Sequence, residues 1–224
     1  MPIFMVGFEK WMINKEVHFA RSWKVNKIAD DFVLWDVWEI PIAANNSETE
    51  NFQSFYRTVL ETFKKIQTRT TLVSLLFALR FWISKILPLD RNINTLPIPG
   101  SLETTVKSRL SSHDLERSKA GKPIKGGNTD LEFHPVYLFE DESLHELSND
   151  TVHSLIHVGW IKKNDYYTAT LAIYVIPRGI YGKAYLKLIE PFRRYIVYPG
   201  MMKIIKEQWE EYILSKGASK EGWA

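Results

Sequence analysis

Apolar and polar positions alternate from Thr151 to Ile176, and the period changes beyond Pro177. In TVHSLIHVGWIKKNDYYTATLAIYVIP the alternation brackets the polar run Lys162-Lys163-Asn164-Asp165, the pattern of two paired strands. Tyr185, Leu188, Ile189 and Phe192 then recur at helical spacing, and a second helical run follows at Met202, Ile205, Trp209, Tyr212 and Ile213. Asp30 to Ile42 is rich in Val, Ile and Trp and predicts a strand, with weaker β character from Val17 to Val25. Phe52, Phe55, Tyr56, Val59, Leu60 and Phe63 predict an amphipathic helix, and Thr71 to Leu87 an apolar one. Short helices are expected over Ser101–Leu110 and Glu142–Leu147, with extended chain at Phe133–Phe139. Residues 1–16 are expected to form an arm, and the Gly- and Pro-bearing stretch 113–129 a mobile loop. Strands segregated from helices argue for one α+β domain over residues 1–224.

A loop at Lys162–Asp165 pairs Val158 with Ala169 and Ile156 with Leu171. One face then carries Val152, Ile156, Val158, Trp160, Leu171 and Ile173, the natural partner of the terminal helix. The other carries His153, Leu155, His157, Thr170 and Tyr174 and is expected to be aqueous or half-buried. Within the terminal helix, Pro191 predicts a kink near Lys187 and Pro199-Gly200 a break.

Composition narrows the function. Twelve Phe, ten Tyr and eight Trp fill a wide core or line an apolar cavity. The absence of cysteine excludes disulfides, thiolate chemistry and Cys-based zinc sites, and suits a reducing cytoplasm. A net charge of +3 gives no nucleic-acid-scale field. The opening MPIFMVGFEKWM lacks the basic start of a secretory leader. Arg80 and Lys85 interrupt Thr71–Leu89, which disfavours a membrane span and leaves surface association as the alternative.

No nucleophile elbow and no glycine-rich phosphate loop occurs, so no catalytic residue and no cofactor is assigned. His153 and His157 would share a metal on a helix, but on a strand they stand about 13 Å apart, so no metal is assigned. Glu142, Glu146 and Asp141 are expected in a solvated, charged turn. Arg193 and Arg194 are either a solvated basic face or a contact for an anionic group. Trp209 and Tyr212 are either core or a homodimer contact.

DVWEIP at 36–41, LFALRFWISKIL at 76–87, NDTVHSLIHVGW at 149–160 and YGKAYLKLIEPFRRYIVYPGMM at 181–202 resemble an uncharacterised bacterial family, domain of unknown function 2867. The resemblance spans roughly residues 20–212. It implies the START-like, polyketide-cyclase-like class with the helix-grip fold: a curved antiparallel sheet wrapped around a long kinked C-terminal helix, often around an apolar cavity. The expected function is non-catalytic binding of a small lipophilic molecule between sheet and helix. Its walls would be Trp38, Phe77, Trp82, Ile156, Trp160, Leu171, Tyr185, Ile189 and Phe192, with His153, His157 and Arg193 as polar contacts. The alternatives are an enzyme using a pocket histidine or carboxylate on a hydrophobic substrate, and a non-catalytic interaction or dimerisation module.

Overall fold

The computed structural model describes residues 11–69, 105–125, 132–149 and 151–221. Its centre is the hairpin of β5 (Val152–Lys162) and β6 (Tyr167–Pro177). Ile156 pairs with Ile173 and Val158 with Leu171, and the loop closes through Lys163 N–H to the Tyr166 carbonyl at 2.8 Å. This register is two residues from the expected one. Because side chains alternate with period two, the shift leaves every residue on its expected face.

β1 (Val33–Ala44) pairs with β6, and β4 (Glu142–Ser148) with β5. β3 (Glu132–Leu138) and the two-residue β2 (Ile124–Lys125) complete an antiparallel sheet in the order β1-β6-β5-β4-β3-β2. Glu142–Leu147 is thus strand, not helix. Its residues are buried on both faces apart from half-buried Leu147, so no polar side marks it in the sequence. The 113–129 stretch contains part of a capped helix, α4 (Ser112–Arg117), and β2. A short 3-10 turn, Val106–Arg109, lies where a helix to Leu110 was expected.

The first face is covered by α3 (Phe52–Arg69) and the C-terminal helix. Asn51 caps α3, its side-chain oxygen accepting from Ser54 N–H at 3.0 Å. Phe52, Phe55, Tyr56 and Val59 then face the sheet. The C-terminal helix comprises α5 (Gly179–Phe192), a π segment (Arg193–Val197) and α6 (Tyr198–Glu221). The expected break at Pro199-Gly200 does not occur. Pro191 and Pro199 each remove a ladder donor, and the wider i→i+5 turn between them, closed by Tyr198 N–H to the Arg193 carbonyl, carries the helix through. Trp38 and Trp209 are fully buried in this layer, each worth about 4–6 kcal/mol from area alone. Trp209 is therefore core.

The second face is also covered, contrary to expectation. Residues 13–32 lie over it, with α1 (Lys15–Phe19) and α2 (Val25–Ile28) in place of the weak strand expected at Val17–Val25. Trp23, Val25, Ile28 and Phe32 pack there with Leu155, Ala172 and Tyr174, and Val106 and Leu110 extend the layer. Within the expected arm, the Trp11 carbonyl accepts from Glu39 N–H at 2.7 Å, so these residues extend the β1 edge.

One glycine fixes how the C-terminal helix meets the sheet. A Cβ on Gly182 would stand 2.3 Å from the Thr151 carbonyl oxygen, a backbone atom with no freedom to turn aside. Gly182→Ala is expected to cost about 2–3 kcal/mol, read as a lower urea midpoint at unchanged m-value.

Candidate functional site

On the first face, most of the residues expected as cavity walls are buried in the core. Trp38, Trp160, Leu171, Tyr185 and Ile189 come together there, but as one packed core with Met202, Ile205 and Trp209. Trp160 contacts the rings of Phe55 and Trp209 at 5.4 and 6.4 Å and donates its indole N–H to Asn46 Oδ1 at 3.2 Å. Phe192 lies at the surface. Phe77 and Trp82 fall outside the described residues.

The open space lies farther along the same face, between α3 and the outer strands. This apolar cleft is lined by Tyr56, Val59, Leu60, Ile124, Phe133, His145, Ile156 and Val158 and encloses about 50 Å³. Only Ile156 belongs to the expected set. At its wall, Tyr56 Oη and His145 Nε2 are 3.0 Å apart, with the two rings stacked. Burial pushes the Tyr56 phenol above its ordinary value and drops His145 to about 4, so both are neutral near pH 7. A neutral pair sharing one hydrogen bond leaves an apolar cleft with a single polar handle.

On the second face, β4 and β5 carry two buried Glu–His pairs. His157 Nε2 is 3.0 Å from Glu142 Oε2, and His153 Nε2 is 2.7 Å from Glu146 Oε1. Each glutamate lies diagonally across from its histidine, two positions past the directly paired residue. Glu142 also accepts from Tyr137 Oη at 2.7 Å and from Lys24 N–H at 2.8 Å. Burial would raise its pKa, but the hydrogen bonds from His157, Tyr137 and Lys24 overcome this and hold it below its ordinary value. Glu146 accepts from Val106 N–H at 3.0 Å. Glu142 and Glu146, expected in a solvated turn, are thus buried anchors for the N-terminal layer and the 3-10 turn, whereas Asp141 is exposed in the bend before β4.

His18 joins this layer from α1. Its Nε2 is 2.7 Å from Tyr174 Oη, and that hydroxyl donates to Asn26 Oδ1 at 2.9 Å. With the phenolic proton committed to Asn26, His18 must donate through Nε2. Burial, and next the neighbouring His157, lower His18 to about 3. Its ring meets His157 edge-on at 5.1 Å. Apart from half-buried Asn26, these side chains are buried, so a substrate would reach them only by displacing the N-terminal layer or the 3-10 turn. Each histidine faces its own partner rather than a common point, and among the described residues no group of three or more His, Cys, Asp or Glu could hold a metal.

Arg193, expected as a ligand contact, is spent inside the chain. Its guanidinium forms a buried ion pair with Asp36 at 2.8 Å and lies 5.3 and 5.4 Å from the Trp35 and Tyr198 ring centres. The 2.8 Å approach is a charge contact, not an aligned hydrogen bond. Burial raises Asp36 despite Arg193.

Sequence reasoning missed Tyr56 and His145, which lie 89 positions apart. It also missed the Glu–His pairs, for which a signal existed: Glu142 and Glu146 share the four-residue spacing of His153 and His157.

An antiparallel sheet backed by a long C-terminal helix, with a small apolar cleft and a buried polar layer, defines an α+β domain. The model of the family described as protein of unknown function (DUF2867) matches residues 28–200, more than three quarters of the chain. The chain belongs to that family. No curated protein and no solved structure matches it. No helix among the described residues is long and apolar enough to cross a membrane.

Proposed function

We propose that this protein binds a small lipophilic molecule without transforming it, taking the molecule's apolar end into the cleft between α3 and β3–β5. The observation that carries this is the cleft itself: apolar walls, one neutral Tyr56–His145 pair, and no charge among its described lining residues. Its volume of about 50 Å³ is small beside the ~150 Å³ cavity that takes up benzene, so it suits a methyl-bearing or short alkyl end. The remainder of such a ligand lies outside the enclosed part. The enzyme alternative gains nothing from the Glu–His pairs, whose burial keeps substrate away. The same reading places the fold in the START-like helix-grip class, supported by the C-terminal helix lying across an antiparallel sheet.

Native mass spectrometry of gently purified protein, followed by denaturing extraction, tests the proposal. A stoichiometric lipophilic adduct is expected. Leu60→Trp, at a half-buried position on the cleft wall, is expected to weaken its retention at least tenfold, about 1.4 kcal/mol, without lowering the melting temperature. An apo mass combined with no uptake from a series of short alkyl and aromatic alcohols would sink the idea.

A further inference from the structure

The side of the C-terminal helix that faces away from the sheet is not built like an ordinary solvated face. Gly182, Tyr185, Leu186 and Ile189 are its buried side. Opposite them, Ile180 is 75% exposed, Tyr181 51%, Leu188 49%, Phe192 36% and Ile196 39%. At 3.6 residues per turn, Tyr181, Leu188 and Phe192 fall on one line, with Ile180 beside them. The wider π turn keeps Ile196 in that line. Exposed Lys183 and Lys187 border the stripe beyond Ile180. Scattered apolar residues on a surface are ordinary, but a continuous stripe along one helix marks an interaction face.

Charge selects the occupant. From Gly179 to Ile205 the sequence holds Lys183, Lys187, Arg193, Arg194 and Lys203 against one acid, Glu190. Arg193 is neutralised by Asp36, whereas the two exposed lysines stand at the edge of the apolar stripe. A second copy docked through this same segment would offer these lysines a single acid, Glu190, against five basic residues. An apolar stripe with a cationic border instead matches an anionic bilayer surface, where the rings and aliphatic chains enter the headgroup boundary and the ammonium groups meet lipid phosphates. We infer that the exposed face of α5 and the following π turn seats this protein on anionic membrane surfaces, independently of whether the cleft binds a ligand.

Flotation of the full chain with vesicles tests this, comparing phosphatidylcholine alone with phosphatidylcholine and equimolar phosphatidylglycerol. Binding to the anionic vesicles is expected, weakening as salt is raised. Leu188→Ser combined with Phe192→Ser is expected to reduce it at least tenfold with unchanged circular dichroism, because both side chains are exposed. Lys183→Glu combined with Lys187→Glu is expected to reduce it comparably, and carries the test should the first variant fail to fold. Absence of binding to either vesicle, equal binding to both, or wild-type binding by both double variants overturns the inference. So does a concentration-dependent dimer, without vesicle binding, that Leu188→Ser with Phe192→Ser disperses; that result assigns the stripe to a second copy.

Discussion

Glu142→Ala is expected to lower the free energy of unfolding by about 3–5 kcal/mol, measured by urea denaturation with linear extrapolation. The carboxylate gathers His157 Nε2, the Tyr137 hydroxyl and Lys24 N–H from three separate parts of the chain, and it is 6% exposed. Truncation strands buried donors that water does not reach, at about 1–3 kcal/mol each before relaxation. Lys24 N–H lies nearest solvent and recovers most readily, which keeps the total below three full penalties. Glu146→Ala strands His153 and Val106 N–H and is expected to cost less. Glu142→Leu combined with His157→Phe is expected to regain part of the loss, because removing both partners leaves fewer orphaned groups. A loss below about 1 kcal/mol for Glu142→Ala would mean the network does not hold the N-terminal layer in place.

The central hairpin was legible because its alternation is strong and long. The polar run placed its turn one residue early, which slips the pairing by two, and the error was harmless since an even slip preserves both faces. β4 was illegible for a physical reason: Glu-Ser-Leu-His-Glu-Leu-Ser is buried on both sides, so no solvent face imposes alternation. Its glutamates look solvated until histidines from the next strand are brought against them. The second layer was also hidden. α1 and α2 span five and four residues, too short for a helical period to emerge, and they hold their shape by packing on the sheet. Pro199-Gly200 in the terminal helix reads as a break, yet a π segment just before it carries the helix through.

The site was less legible than the fold. Aromatic residues at Trp38, Trp160 and Tyr185 suggested cavity walls, yet aromatic content alone does not separate a wall from a filling. Trp209 and Met202 are buried in the same cluster. The cleft depends on Tyr56, Val59 and Leu60 of α3 standing beside Ile156 and Val158 of β5, and on Tyr56 meeting His145 across 89 residues, neither of which leaves a local pattern. By contrast, the matching spacings of Glu142/Glu146 and His153/His157 were visible in the sequence. Only the antiparallel pairing of β4 with β5 turns them into contacts.

Acid is expected to destabilise this protein well above the range where carboxylates titrate. His18 and His145 are held at about 3 and about 4 by burial, with the His157 neighbour assisting at His18, whereas both titrate near 6.5 when unfolded. Their folded pKa values lie below the unfolded one, so the unfolded chain takes up protons that the folded chain refuses. Their contribution is complete above pH 6.5 and falls as the pH drops below it, by about 1.4 kcal/mol per pH unit for each group. Between pH 6.5 and 5 the two together are expected to remove about 4 kcal/mol. Glu142 acts in a separate window: its folded pKa is depressed, so its contribution is lost only below the unfolded value of 4.5. Urea denaturation from pH 7 down to 5 therefore reads the histidines apart from Glu142. His145→Phe is expected to halve the slope of stability against pH in that range, whatever its effect on stability at pH 7. A flat profile in the wild type would show that neither histidine is buried as a neutral base, and the polar layer would then have to be open to water.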